Sequence, residues 1–439
     1  MNNFLGYTCS LCHQAYGPAE VDYICPKHGE MGNLDVRLDY AAINRAASPD
    51  SLSASRDFSI WRYLPLLPVA DPGFGGTPLR AVGWTPLYRA DRLAASLGLK
   101  HLFVKDEGRN PTASFKDRAS AVVVARAREI GAGTIAAAST GNAGAALAGM
   151  AAAAGVPAVI FAPQTAPPAK VAQLLMFGAK VLLVNGNYDA AFDLCLQTSR
   201  EFNWYCRNTG YNPFTIEGKK TAAFEICEQL TLAQNPNSSQ TPEAERRGQN
   251  PNPKWEAPDR IFVSVGDGNI ISGIHKGLKD LLALGWIAKM PKLMGVQATG
   301  SAACANAWAA NTETITPVAA NTLADSISVD LPRDGVRAVR AARETEGAYL
   351  TVSEADILAA MRDLARGLAV FAEPAGATAY AGLAKAAREG IIGADETVVV
   401  LNTGNGLKDV KAAMQAAGAA IKIEPTLTAV KSAISDSPL

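Results

Sequence analysis

The chain has 439 residues, 48% of them hydrophobic and 19% charged, and its 41 basic and 41 acidic side chains give a formal net charge of zero. That length suits two to three domains, and the composition is globular with ample apolar surface for a core. The neutral balance lacks the basic excess of a nucleic-acid binder, and the start MNNFLGYTCS lacks the basic and apolar regions of a secretory signal. One uncharged window, Ala143 to Ala162, is long enough to span a membrane, but it is rich in Ala and Gly and Pro157 divides it. It reads as a buried helix followed by a buried strand. The expectation is a cytoplasmic protein with neither nucleic-acid nor membrane partners. The seven cysteines are odd in number and unevenly placed, which argues against a disulfide framework.

In chain order, residues 1–35 carry Cys9-x-x-Cys12 and, twelve residues on, Cys25-x-x-His28. Two such pairs on tight turns close a tetrahedron around zinc, so a zinc-ribbon-like extension with a structural site is expected; His13 is a weaker alternative ligand. Residues 36–80 read as irregular and include the Pro/Gly-rich LPLLPVADPGFGGTP. From Ala81 onward short uncharged runs alternate with Ala-rich helical patterns. The runs HLFVK (101–105), TIAAA (134–138), AVIFA (158–162), KVLLV (180–184), RIFVSV (260–265), KLMGVQ (292–297) and TVVVL (397–401) predict strands covered on both faces. That pattern means an α/β fold with mainly parallel sheets. Residues 231–258, rich in Asn, Pro, Gln and Ser, read as a mobile surface insertion, and residues 423–439 as a tail.

Four loops carry the chemistry. In GRNPTASFKDRAS (108–120), Ser114 and Asp117 fit a capping-box variant that puts Lys116 in a helix's first turn. The helix dipole there disfavours an ammonium and favours a nucleophilic amine. Taken alone, Lys116 is equally well a solvated surface lysine. STGNAG (139–144) follows a strand and opens a helix; its amides, with Ser139, Thr140 and Asn142, suit a carboxylate. SVGDGNIISG (264–273) is a glycine loop at a helix start that suits one phosphate group, and it fits neither dinucleotide nor nucleoside-triphosphate fingerprints. NTGNGLKD (402–409) places Thr403 just beyond a strand. The last three loops lie at the carboxyl ends of strands, where open α/β sheets bind ligands, so one shared pocket is expected.

Taken together, GWTPL (83–87), NPTASFKDR (110–118), STGNAG, EGKKTAAFEI (217–226), VGDGNI (265–270), EPAGATAYAGL (373–383) and TGNGLKD (403–409) resemble the fold-type II pyridoxal-phosphate enzymes, and among them the threonine synthases. The resemblance runs from roughly Val82 to Met414, leaving out the insertion. It implies two open α/β domains, a small one at 119–210 set between the two parts, 81–118 and 211–422, of a large one. It implies that Lys116 carries the Schiff base to pyridoxal phosphate and Phe115 flanks the cofactor. Asn142 would bond its 3′-oxygen, Gly266, Asp267, Gly268, Asn269 and Ile270 would hold its phosphate, and Thr403 would face the ring nitrogen. The substrate, a small and phosphorylated amino acid, would meet Thr85, Ser139, Thr140 and Asn142. The family's usual His is Asn405 here, and an Arg often found near the substrate phosphate is Thr215, so Lys219 or Lys220 is expected to supply that charge. Family members are commonly dimers, which makes a homodimer the expectation. The other activities such motifs serve are β-replacement and β-elimination, as in cysteate synthase or serine and threonine dehydratases; a non-catalytic zinc-ribbon interaction protein is the reading from a different class.

Overall fold

The computed structural model describes residues 3–166, 168–234 and 254–436. The apolar runs form strands; all but the one at 180–184, which is partly exposed, are largely buried inside layered sheets. The larger sheet has the order β12-β11-β10-β13-β5-β4. Its strands are β4 (Leu87–Arg89), β5 (His101–Asp106), β10 (Arg260–Ser264), β11 (Lys292–Ala298), β12 (Ala348–Val352) and β13 (Thr397–Asn402). All pairs are parallel except β4 with β5. The smaller sheet, β8-β7-β6-β9, is wholly parallel. It uses β6 (Ile135–Ala138), β7 (Ala158–Pro163), β8 (Lys180–Val184) and β9 (Tyr205–Cys206). Helices cover both sheets, as parallel crossovers require.

The N-terminal segment forms a third, antiparallel sheet of β1 (Phe4–Cys9), β2 (Ala15–Tyr16) and β3 (Leu34–Leu38), in the order β2-β1-β3. The uncharged window resolves into the helix Asn142–Ala154 and strand β7, broken around Pro157, and among the described residues no helix is long and apolar enough to cross a membrane.

Three expectations need correction. Residues 36–80 are not irregular throughout: helices Tyr40–Ala46 and Pro49–Ser53 and a 3-10 segment Ile60–Leu66 lie there, and Trp61 and Tyr63 are buried in the main core. The 231–258 stretch is shorter as an insertion. The helix Thr221–Gln234 runs into it, and Trp255 is buried against Tyr63 and Trp286. Its remainder, 235–253, lies outside the described residues. The capping box does not form. Phe115 is the N-cap, and Asp117 instead accepts bonds from the backbone and hydroxyl of Thr112. Ser114 is drawn into a bridge with Gly404, so tertiary pairing overrides the local cap.

Candidate active site

The carboxyl ends of both parallel sheets open on one cavity of about 520 Å³, a volume in the range of small-molecule sites. From the larger sheet, β10 leads into Gly266–Ile270 and β13 into Thr403. From the smaller one, β6 leads into Ser139–Asn142 and β9 toward Thr209. Lys116, Lys219 and Glu373 complete the facing walls, and Asp325–Leu331 forms a strap along one side.

Lys116 is the first residue of the helix Lys116–Glu129. Its approach is fixed by two backbone bonds to the loop after β13: Phe115 N donates to the Thr403 carbonyl at 2.9 Å, and Asn405 N to the Ala113 carbonyl at 3.1 Å. Ala113 takes a left-handed φ of 65° to make that turn. Below the helix start, Arg118 is clamped by Glu107 at 2.7 Å and Glu225 at 2.6 Å, with Lys105 on Glu225 at 2.7 Å. All four side chains are fully buried. Removing one partner of such a set costs about 3–5 kcal/mol, because a charge is left buried and unpaired. The cluster therefore holds Lys116 in place from beneath.

The Lys116 amine faces the cavity and has no carboxylate partner among the described residues. Partial burial in the cavity wall, and the nearby Arg207 cation, bring its pKa down to about 8, against the opposing pull of Asp267 and Glu373. A nucleophilic amine at neutral pH needs such a depression. Lys219, also in the cavity wall, is pushed further below the lysine range by burial and by the Lys116 and Arg207 cations. Its Nζ donates to Asn269 Oδ1.

The glycine loop lies at a helix start on the cavity wall. Gly268 caps the helix Asn269–Ala283 with φ of 90°, and a Cβ there would lie 2.7 Å from the Asp334 carbonyl. The first N–H groups of that helix have no intrahelical acceptor. Asn269 is steadied by Asp334 at 2.7 Å, so the cup is preformed. Opposite it, Asn142 starts the helix Asn142–Ala154, and its amide donates to Glu373 Oε1 at 2.7 Å. Burial raises the Glu373 pKa to about 7, with the Asn142 bond and Lys116 opposing.

Of the residues singled out from sequence, Lys116, Ser139, Thr140, Asn142, Gly266, Asp267, Gly268, Asn269, Ile270, Lys219 and Thr403 line this one cavity. Phe115, Thr85 and Lys220 do not. Phe115 is buried under the Arg118 guanidinium. The Thr85 hydroxyl donates to Glu107 at 2.7 Å. Lys220 is paired with Glu217 at 2.5 Å and Asp280 at 2.8 Å, facing away from the pocket. Thr215 is also outside the cavity, its hydroxyl donating to the Asn212 carbonyl at 2.8 Å. Sequence reasoning missed Glu373, Tyr188 and the 325–331 strap as wall residues. The EPAGA motif drew attention to the right place, since Pro374 begins a helix and puts Glu373 at its N-cap.

The donor set fits pyridoxal phosphate: an amine of lowered pKa, a phosphate cup with free amides, and a polar side chain at each flank. In the N-terminal unit, outside the cavity, the ligand atoms of Cys9, Cys12, Cys25 and His28 all lie within 4.8 Å of one another. The pairs Cys9–His28 and Cys12–Cys25 are 3.6 and 3.9 Å apart. Those separations match the edges of a tetrahedron with metal–ligand bonds of about 2.0–2.3 Å.

The family described as "Pyridoxal-phosphate dependent enzyme" matches residues 79–404. Threonine synthase of Methanocaldococcus jannaschii is 38% identical over 426 residues, covering 96% of this chain and 98% of that protein. Threonine synthase of Methanosarcina acetivorans is 38% identical, covering 97% and 98%. Among solved structures, the processed form of threonine deaminase isoform 2 from Solanum lycopersicum superposes with a TM-score of 0.63 at 22% identity, over 82% of this chain and 88% of that one. That likeness speaks for the fold alone. The chain belongs to the pyridoxal-phosphate-dependent enzyme family, and within it to the threonine synthases.

Proposed function

We propose that the chain converts O-phospho-L-homoserine and water to L-threonine and phosphate, as a lyase using pyridoxal phosphate bound to Lys116. The observation that carries this reading is end-to-end identity of 38% with threonine synthases, in a chain whose Lys116 faces the cavity. The cofactor, when bound, supplies an electron sink for charge developing on carbons next to the substrate amine.

The chain's own groups do the rest. Lys116 Nζ would hold the cofactor and then move protons; a pKa near 8 leaves it able to accept and return one near neutrality. Residues 266–270 would take the cofactor phosphate at the start of their helix. Asn142 would sit beside the ring's 3′-oxygen, oriented by Glu373. Thr403, a neutral hydroxyl rather than a carboxylate, would face the ring nitrogen without forcing its protonation. Ser139, Thr140 and the amides beside them would hold the substrate carboxylate. Thr215 carries no charge and reaches only as far as Asn269 Oδ1, at 3.3 Å, and Lys220 is held by Glu217 and Asp280, so Lys219 is the cation we assign to the substrate phosphate. Cys9, Cys12, Cys25 and His28 would hold one zinc ion; four protein ligands close the shell, which makes the site structural. A homodimer completes the reading.

The test is a balance of products from purified protein and O-phospho-L-homoserine. Threonine and phosphate are expected in equal amounts, with no turnover of serine or phosphoserine at comparable rates. Phosphate release without threonine would overturn the assignment.

A further inference from the structure

The Cys/His unit lies away from the cavity, yet its contacts converge on the cavity's walls. Asn33 follows the last ligand by five residues and is buried. Both halves of the ligand set hold it: its carbonyl accepts from Ser10 N at 2.9 Å, next to Cys9, and it bridges Ile24, next to Cys25. Its side-chain amide reaches out of the unit and donates to two carbonyls, that of Gly210 and, at 3.3 Å, that of Arg333.

Those two carbonyls belong to different walls. Gly210 follows Thr209, on the loop leaving β9 of the smaller sheet. Arg333 belongs to the segment behind the phosphate cup: its N–H donates to Asp267 Oδ1 at 3.3 Å, and Asp334 N to the Asp267 carbonyl at 2.9 Å. The Arg333 guanidinium also pairs with Asp189 at 2.6 Å and with Glu30 of the Cys/His unit at 3.6 Å. Thr209, Asp189 and Asp267 all line the cavity. The backbones abut closely enough that a Cβ on Gly210, whose φ is 80°, would lie 3.0 Å from Arg333 Cβ.

We propose that Asn33 is a positioning residue through which the Cys/His unit sets the spacing between the Gly210 loop and the phosphate cup. One planar amide with two N–H groups fixes two carbonyls at a set separation, which independent waters do not. The metal's contribution is to hold Asn33 still, because Ser10 and Ile24 are each adjacent to a ligand. The spacing matters equally to bound substrate before and during reaction, so its loss weakens binding rather than slowing the chemical steps.

The proposal is tested with Asn33→Ala and, in case that variant folds poorly, Asn33→Gln, which keeps the amide on a longer stem. Cofactor affinity is read by visible absorbance titration of cofactor-free protein, metal content by elemental analysis, and kcat and KM with O-phospho-L-homoserine. Two neutral hydrogen bonds lost set the scale: cofactor Kd and substrate KM rise roughly five- to tenfold in Asn33→Ala, with kcat within about twofold. Metal content stays at the wild-type value, and Asn33→Gln falls between wild type and Asn33→Ala. Unchanged Kd and KM in either variant, or a fall in kcat alone, would overturn the role. The cofactor titration is independent of which substrate is turned over, so failure of the threonine synthase reading leaves this test standing.

Discussion

Lys116 and Lys219 both line the cavity, and both amines are held below the ordinary lysine range. What separates them is company. Lys219 is bonded to Asn269 in the glycine loop, whereas Lys116 has no hydrogen-bond or ion-pair partner among the described residues and lines the cavity together with Thr403 and Glu373. A pKa of about 8 also gives a pH signature. Below that value the neutral amine falls tenfold per unit, so the rate of cofactor loading into cofactor-free protein rises steeply with pH and levels off above about pH 8. The sign follows from burial, which disfavours the ammonium. Stopped-flow absorbance measurements from about pH 6 to about pH 9.5 would check it, and a flat profile would contradict it. Lys116 stands out in the sequence only through its company in other loops, Asn142, residues 266–270 and Thr403, which the structure brings to the same cavity. Its lowered pKa was expected from a helix dipole; the structure assigns it first to burial. Glu373 was not legible as a wall residue, because its role depends on Asn142, 231 positions away in the chain.

At the scale of elements, the functional loops recur at one place in the grammar of the fold, where a parallel strand ends and a helix begins. Seven apolar runs read from sequence are strands; in six of them burial on both faces leaves a continuous apolar signature, whereas β8 is a partly exposed edge strand. Strand β12 escaped notice: Ala348–Val352 forms an edge of its sheet and mixes Tyr and Thr with aliphatic residues. The Ser114 cap failed for a related reason, since local propensity gives way when a neighbouring loop supplies better partners. The cup is the element most exposed to a single change. Gly268→Ala forces a side chain into a left-handed conformation against the Asp334 carbonyl, at a cost of about 1–3 kcal/mol. Cofactor affinity is expected to fall by roughly tenfold or more, read by absorbance titration, while threonine formation at saturating cofactor falls far less. Retained affinity would show that the loop is not the phosphate site.

For the whole molecule, the parallel strands of two sheets meet at their carboxyl ends, and the antiparallel N-terminal unit contacts the loop at Gly210 and the segment at Arg333. The α/β class and the shared pocket could be read from alternating strands and glycine loops. The contacts of the N-terminal unit with Gly210 and Arg333 could not, because they join residues 177 and 300 positions apart with no local pattern to mark them. The same holds for residues 36–80, whose burial comes from packing on the helix Thr221–Gln234: Arg62 pairs with Glu228 at 2.6 Å, and Tyr63 donates to Glu228 at 2.5 Å. These long-range pairings make the N-terminal fifth of the chain part of the enzyme body.

Mapping the lysine that holds the cofactor tests the central claim most directly. Holoenzyme is reduced with borohydride, digested and sequenced by mass spectrometry. The reduced cofactor is expected on Lys116 alone, with no label in Lys116→Ala. Label on Lys219, or label that survives in Lys116→Ala, would contradict the assignment of the site.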